Sequence, residues 1–262
     1  MDLHLTGKSI VITGGATGIG KAAALAFARE GAKVSICGRR AEKLQAAAED
    51  AMQEGLHIDH YVCDITDTDA LAALASQVAA KNGGIDVWVN NAGIAINRPF
   101  MEYTKEDYYQ IMRTNLDAVF FGSQIAANYM KERGGGVILN ASSYTALIPH
   151  SDGSVYGASK AAISNLTKSM AANLAPWNIR VIAYIPGMIV SEISTDSIQK
   201  NEQHYVSNIA MHRLGKPEDL AKTLVFLASD AAGYISGVDI EIAGGKYAVQ
   251  DCERPWRRLE EE

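Results

Sequence analysis

Short apolar runs rich in β-branched residues alternate with helical stretches along most of this chain. Parallel strands need crossover connections of this kind, and such connections are right-handed. The pattern predicts an α/β fold in one domain: a doubly wound parallel sheet of about seven strands, with helices on both faces, of the Rossmann type. The predicted strands are 9–12, 33–37, 58–62, 87–89, 137–140, 180–185 and 238–242. The main predicted helices are 22–27, 43–52, 68–80, 105–130, 156–174 and 217–228.

The first predicted strand runs into a glycine-rich turn and then a helix. The turn reads Thr13-Gly14-Gly15-Ala16-Thr17-Gly18-Ile19-Gly20. Gly14, Gly18 and Gly20 allow a tight turn and a close approach of the backbone to a ligand, and the first free N–H groups of the helix suit a pyrophosphate. The spacing differs from the general Gly-x-Gly-x-x-Gly fingerprint of dinucleotide sites, and a tight turn without a ligand is the alternative interpretation.

Tyr156 and Lys160 are four residues apart in a predicted helix. At that spacing both side chains lie on one face, so the ammonium of Lys160 stands beside the phenol of Tyr156 and favours the phenolate. A free tyrosine has a pKa near ~10, and a useful acid or base near neutrality needs a shift of roughly 3 units, or about 4 kcal/mol. The pair predicts a proton donor or acceptor, although amphipathic surface helices also carry such pairs.

Together with three further motifs, the glycine turn and the Tyr156–Lys160 pair make the chain resemble the short-chain dehydrogenases/reductases. The glycine turn resembles that family's cofactor loop, and Asn90-Asn91-Ala92-Gly93 resembles its Asn-Asn-Ala-Gly signature. Asn115, Ser143, Tyr156 and Lys160 fall in the order of its catalytic tetrad. Pro186-Gly187 with Ile189 and Ser191 resembles the segment that closes over the nicotinamide, where threonine is more frequent at the last position.

The resemblance extends over about residues 5–245. It implies a dinucleotide-binding catalytic domain at 1–245, with a mobile lid over the substrate at about 188–211, and leaves a charged tail at 246–262. The residues that it assigns to the cofactor are Gly14, Thr17, Gly18, Ile19, Gly20, Asp64, Ile65, Asn91, Ala92, Gly93, Tyr156, Lys160, Pro186, Gly187, Ile189 and Ser191.

The resemblance also implies a role for each member of the tetrad in reversible hydride transfer between a nicotinamide and a secondary alcohol or ketone. Tyr156 transfers the proton, Ser143 positions the substrate oxygen, and Lys160 lowers the tyrosine pKa and binds the nicotinamide ribose. Ser142 competes with Ser143, but the interval of thirteen residues to the tyrosine favours Ser143. Asn115 holds a water in the family, whereas the residues alone favour an asparagine satisfied by its own backbone.

The end of the second predicted strand bears on the choice of cofactor. Enzymes that select NAD place a carboxylate there for the ribose 2′-hydroxyl, and Gly38 occupies that place here. Arg39 and Arg40 follow, and a guanidinium suits a 2′-phosphate. We expect NADP(H) to be preferred and NAD(H) to be possible, with two ordinary solvated arginines as the alternative. Asp64 resembles the aspartate that contacts adenine, or else simply caps the next helix.

The substrate is predicted less sharply. The predicted pocket residues are Tyr144, Leu147, Ile148, His150, Met188, Ile193, Tyr205 and Met211. This mixture suits a bulky alicyclic alcohol such as a hydroxysteroid better than a small sugar. A polyol or sugar dehydrogenase and a 3-oxoacyl thioester reductase remain as alternatives, and a catalytically silent dinucleotide-binding sensor is a distant one.

Composition limits the remaining classes of function. The net charge is −6, with 24 Lys and Arg against 30 Asp and Glu, which gives no electrostatic footprint for nucleic acid. The sequence shows no apolar stretch long enough for a bilayer, no signal segment and no Cys-x-x-Cys pair, so we expect a cytoplasmic protein without a metal site. The family resemblance of the helices implies a homotetramer or homodimer.

Overall fold

Seven parallel strands form one sheet within residues 3–246 and 248–261, the part of the chain that this computed structural model describes. The order across the sheet is β3-β2-β1-β4-β5-β6-β7. The strands are β1 (Ser9–Thr13), β2 (Lys33–Gly38), β3 (Ile58–Val62), β4 (Val87–Asn90), β5 (Gly136–Ala141), β6 (Ile179–Pro186) and β7 (Asp239–Ile242). The central strands are buried on both faces, which explains why they appear in the sequence as continuous apolar runs.

Helices cover both faces of the sheet, as predicted. They are α1 (Gly18–Arg29), α2 (Ala41–Gln53), α3 (Thr68–Asn82), α4 (Lys105–Met112), α5 (Ala118–Glu132), α6 (Ser154–Leu174), α7 (Thr195–Ser207), α8 (Pro217–Ala228) and α9 (Arg254–Glu261). Buried side chains of α1, α2 and α8 pack on one face in a first apolar core. Those of α3, α5 and α6 pack on the other face in a second core.

The order of the strands reverses between β1 and β4, the two central neighbours. From β1 the chain moves outward to β2 and β3, and it then returns to β4 and proceeds to the opposite edge. Loops at the carboxyl ends of β1 and β4 therefore diverge and leave a crevice, which is where doubly wound sheets bind ligands.

Three segments differ from the sequence prediction. The predicted helix 105–130 is interrupted by one π-helical turn, Arg113–Asp117, between α4 and α5. The lid, residues 188–211, contains α7, a helix that is absent from the predicted ones and is kinked at Asn201. The tail includes α9, and the indole Nε1 of Trp256 donates to the carbonyl of Ala210 at 2.9 Å, which attaches the tail to the end of the lid.

Among the helices of the described residues, none combines the length and hydrophobicity that a membrane crossing requires.

Candidate active site

The glycine turn after β1 presents bare backbone at the crevice. Gly14 has a φ of +65°, and a Cβ at this position would lie 2.9 Å from the Cα of Ala92. A Cβ on Gly20 would overlap the carbonyl oxygen of Gly14. Thr17 precedes α1, and its side chain does not cap the helix, so the first N–H groups of α1 remain available to an anion. The turn thus fits a pyrophosphate that must approach the backbone closely.

Asn91, directly after β4, connects this turn to the end of that strand through hydrogen bonds. Its amide nitrogen donates to the carbonyls of Thr13 and Gly14, both at 3.1 Å. Its amide oxygen accepts a hydrogen bond from the hydroxyl of Tyr184 at 3.1 Å. Tyr184 is fully buried in β6, so one asparagine connects the glycine turn with the far side of the crevice.

The adjacent serines at the end of β5 point in different directions. Ser142 hydrogen-bonds to α6: its hydroxyl donates to the carbonyl of Lys160 at 3.1 Å and lies 2.8 Å from the hydroxyl of Ser164. Ser143 lines the same cavity as Tyr156, and its hydroxyl counteracts part of the rise in the tyrosine pKa. The same hydroxyl oxygen accepts hydrogen bonds from the N–H and the hydroxyl of Thr145 at 3.2 and 3.0 Å. The structure therefore brings Ser143 and not Ser142 to the tyrosine.

Burial dominates the electrostatics of Tyr156 and Lys160. It raises the pKa of Tyr156, and the hydroxyl of Ser143 opposes that increase only in part. Burial also lowers the pKa of Lys160 to about 8. The ammonium of Lys160 donates to the carbonyl of Ala141 at 2.7 Å and lies 5.7 Å from the centre of the tyrosine ring. Burial is thus the main influence on the pKa of Tyr156 in the protein without cofactor, and the lowering expected from Lys160 stays a prediction.

Asn115 lies in the π-helical turn and is fully buried. Its side chain exchanges two hydrogen bonds of 2.9 Å with the backbone N–H and carbonyl of Ile94, and it donates to the hydroxyl of Ser159 at 3.2 Å. The interpretation from the residues alone, an asparagine satisfied by its own helix, is therefore wrong. Asn115 instead joins the helix to the loop after β4 and to α6.

Two adjoining cavities collect most of the predicted cofactor residues. The first, which we call the dinucleotide cleft, is lined by Gly14, Thr17, Gly18, Ile19, Arg39, Arg40, Asp64, Ile65, Asn91, Ala92, Gly93 and Ser191. The second, the catalytic cavity, is lined by Ser143, Tyr156, Lys160, Pro186, Gly187 and Ile189. Both cavities share Ile19, Asn91, Gly93, Ser191 and Ile193. Gly20 lies behind the glycine turn and lines neither.

A family model described as "short chain dehydrogenase" matches residues 8–202 of the chain. The chain belongs to the short-chain dehydrogenase family.

Relatives of known activity cover nearly the whole dehydrogenase. It is 39% identical over 245 residues to 3-oxoacyl-[acyl-carrier-protein] reductase FabG of Thermotoga maritima, covering 93% of this chain and 99% of the relative. It is 38% identical over 248 residues to 3alpha-hydroxysteroid dehydrogenase of Mediterraneibacter gnavus, covering 93% and 98%. It is 37% identical over 251 residues to L-rhamnose 1-dehydrogenase (NAD(P)(+)) of Azotobacter vinelandii, covering 93% and 98%.

One similar solved structure is a 7 alpha-hydroxysteroid dehydrogenase complexed with NADH and 7-oxo glycochenodeoxycholic acid. Its TM-score is 0.89 at 35% identity, and the match covers 94% of this chain and 96% of that one. The dehydrogenase is thus an NAD(P)-dependent oxidoreductase that acts on CH–OH or C=O groups. Its relatives act on different substrates at similar identity, so similarity alone does not select one.

The dehydrogenase has a catalytic cavity with a mixed lining. Of the residues predicted for the substrate pocket, Tyr144, His150, Met188, Ile193 and Tyr205 line it. Leu147 and Met211 are about half exposed and do not line it. Ile148 lines a smaller adjacent cavity instead, which shares Tyr144, His150 and Tyr205.

Asp64 and Arg40 of the dehydrogenase make local contacts that the sequence did not reveal. Asp64 accepts hydrogen bonds from the N–H and hydroxyl of Thr66 at 3.0 and 2.8 Å, which lower its pKa. Arg40 donates to the carboxylate of Glu192 at 2.7 Å. Glu192 and Tyr184 are among the site residues that the sequence did not indicate, since neither belongs to a recognisable motif. In the described part of the chain, no cluster of three or more His, Cys, Asp or Glu side chains could hold a metal ion.

Proposed function

We propose that this dehydrogenase transfers hydride reversibly between NADP(H) and a secondary alcohol or ketone, with a bulky alicyclic compound such as a hydroxysteroid as the substrate. The observation that carries the proposal is that Ser143, Tyr156 and Lys160 line one cavity, which adjoins the dinucleotide cleft. A substrate oxygen placed there lies within reach of both hydroxyl groups and beside the nicotinamide end of the cleft.

The chain supplies the proton chemistry and the positioning. Bound nicotinamide dinucleotide donates or accepts the hydride. In reduction the phenol of Tyr156 donates its proton to the developing alkoxide, and in oxidation its phenolate accepts the hydroxyl proton. Ser143 hydrogen-bonds to the substrate oxygen and keeps it in line. Lys160 holds the nicotinamide ribose from the floor of the cavity, and Asn115 fixes the loop after β4 against α6.

The preference for NADP(H) rests on the end of β2. Gly38 offers no carboxylate to repel a 2′-phosphate, and the exposed guanidinium of Arg39 lines the same cleft. A guanidinium binds a phosphate through two parallel hydrogen bonds and remains charged at any working pH. Because a 2′-hydroxyl does not need this charge, NAD(H) remains usable.

The preference for an alicyclic substrate rests on the lining of the catalytic cavity. Tyr144, Met188, Ile193 and Tyr205 supply apolar and aromatic surface, while polar side chains such as Asn97, His150 and Ser197 also line the cavity. The apolar part gains free energy from burying a hydrocarbon ring system, and the polar side chains can bind the hydroxyl groups that such a ring system carries.

A homo-oligomer is part of the same proposal. Phe120 and Phe121 of α5 are partly exposed, with fractional exposures of 44% and 38%, and Tyr108 and Tyr109 of α4 are exposed beside them along the chain. Exposed aromatic pairs on successive helices support an interface between subunits. Size-exclusion chromatography that gives a monomer at micromolar concentration would contradict it.

The first experiment follows the absorbance of the reduced nicotinamide. The purified protein is offered NADP(H) and NAD(H) with hydroxysteroids, polyols, secondary alcohols and 3-oxoacyl thioesters. We expect turnover with a hydroxysteroid or the corresponding ketone, faster with NADP(H). Turnover only with a sugar or a thioester would replace the substrate class, and cofactor binding without any turnover would favour a silent sensor.

Neighbouring serines provide a matched control for the catalytic assignment. Ser143→Ala and Tyr156→Phe should each lower kcat by about 10² to 10⁴-fold, while dinucleotide binding is retained. Ser142→Ala should keep kcat within about threefold, because its hydroxyl bonds to α6. Equal losses for the two serine variants would refute the assignment.

Arg39→Ala tests the cofactor preference. Removal of the guanidinium should raise the Kd for NADP(H) by about tenfold or more and the Kd for NAD(H) by about twofold or less. Equal weakening of both cofactors would show that Arg39 serves only the adenosine that they share.

A further inference from the structure

A carboxylate of the lid reaches across the dinucleotide cleft. Glu192 follows β6, yet its Oε2 accepts hydrogen bonds from Nη2 of Arg40 at 2.7 Å and from the hydroxyl of Thr17 at 3.4 Å. Its Oε1 lies 3.8 Å from the ammonium of Lys43. Arg40 and Lys43 follow β2, on the opposite side of the switch point from β6. Glu192 therefore connects the lid with the glycine turn and the start of α2.

The contacts place one negative charge among the cations of the cleft. Arg40 directly follows Arg39, at the end of the cleft where the proposed function puts the 2′-phosphate. The hydrogen bond from Arg40 holds the pKa of Glu192 below its usual range, so the carboxylate is ionised at neutral pH. Arg40 and Lys43 are thereby partly neutralised, and an incoming phosphate meets a carboxylate that competes for the same donors.

We propose that Glu192 is a specificity-determining residue of the cofactor site, which restrains the preference for NADP(H) by occupying Arg40 and Lys43. This inference rests on the proposed binding of a dinucleotide in the cleft. The repulsion acts on a 2′-phosphate, which carries charge, and hardly on a 2′-hydroxyl, which does not. Glu192 keeps NAD(H) competitive in a cleft whose other groups favour NADP(H).

The test is an equilibrium titration of the full chain with NADPH and with NADH, followed by nicotinamide fluorescence and needing no substrate. Glu192→Gln should lower the Kd for NADPH by about five- to tenfold and change the Kd for NADH by less than about twofold. The gain for NADPH should shrink as KCl is raised from about 0.05 to about 0.5 M, because these side chains are half-exposed and salt screens them.

Two further variants identify the cause. Glu202→Gln removes the same charge from an exposed position of α7 and should leave the ratio of the two Kd values unchanged. Arg40→Gln combined with Glu192→Gln should lose most of the gain, because the freed guanidinium is then absent.

Three outcomes decide the matter. An equal change in both Kd values on Glu192→Gln would overturn the inference. It would show that Glu192 holds the lid against the cleft without distinguishing a 2′-phosphate from a 2′-hydroxyl. An unchanged ratio with unchanged affinities would also overturn it and reduce the contacts to a surface ion pair. A wild-type protein that binds neither nucleotide would instead reject the proposed function from which the inference starts.

Discussion

Lys160 is expected to make the folded protein less stable than it would be with an apolar residue at that position. The side chain is 3% exposed, and burial lowers its pKa from the usual 10.5 to about 8. At ~1.4 kcal/mol per pKa unit, the charged form is disfavoured by about 3 kcal/mol in the folded state. Lys160→Met removes this penalty but also loses the hydrogen bond to the carbonyl of Ala141, worth about 1 kcal/mol.

We therefore expect the free energy of unfolding of Lys160→Met to be about 2 kcal/mol higher than that of the wild type at pH 7. For a chain of this size that corresponds to about 4–8 °C in Tm. The assay is urea and thermal unfolding of the protein without cofactor. Lys168→Met, on the exposed side of the same helix, is the matched control and should remain within about 0.5 kcal/mol of wild type.

The pH dependence of the difference in unfolding free energy between Lys160→Met and the wild type identifies the cause of that difference. Below pH 8, folded and unfolded states both carry the charge, so the full penalty is present. Between pH 8 and 10.5 the unfolded state binds a proton at Lys160 that the folded state does not, so the stability of the wild type rises with pH and the penalty is lost. The advantage of Lys160→Met should shrink to about 0.5 kcal/mol by pH ~9.5. A variant no more stable than wild type at pH 7, or one with an advantage independent of pH, would refute the reasoning.

The remaining predictions concern the glycine turn, the hydrogen bond from Tyr184 to Asn91, and the C-terminal tail. Gly20→Ala should abolish dinucleotide binding in a fluorescence titration, because its Cβ would overlap the carbonyl of Gly14; binding within about twofold of wild type would show that the turn can move aside. Tyr184→Phe should weaken NADPH and NADH equally, by about three- to tenfold, through loss of its hydrogen bond to Asn91, and unaltered Kd values would mean that Asn91 is oriented without it. Trp256→Ala should accelerate limited proteolysis within the lid and raise KM more than it lowers kcat, and an unchanged digestion pattern would separate the tail from the lid.

Most of the sheet could be predicted because its signal is local. Strands buried on both faces must be apolar throughout, so their extents follow from composition within each run. The predicted 58–62 coincides with β3, and each of the other six differs from the structure by one residue at one or both ends. The glycine turn could also be predicted, because Gly14 needs a positive φ that other residues rarely adopt.

The features that could not be predicted depend on contacts between distant segments. The π-helical turn places Asn115 against Ile94, and no periodicity in 105–130 indicates the extra residue. Helix α7 is predominantly polar, and its Ile198 and Tyr205 pack into the small apolar group around Met188, a contact that the sequence does not show. Glu192 resembles any exposed glutamate until the fold brings Arg40 to it from 152 residues away.

Three features that break local rules lie at the carboxyl ends of the parallel strands. A turn with positive φ, a helix with an inserted residue and a buried lysine each cost stability, and they converge on the two adjoining cavities. The glycine turn alone would explain a protein that only binds a dinucleotide. The buried ammonium of Lys160 costs stability and would serve the nicotinamide ribose even in a silent sensor, so its presence alone does not decide between the two. A phenol and a serine hydroxyl in the same cavity as this ammonium, Tyr156 and Ser143, add nothing to dinucleotide binding but suit proton transfer, which favours an active dehydrogenase over a silent sensor.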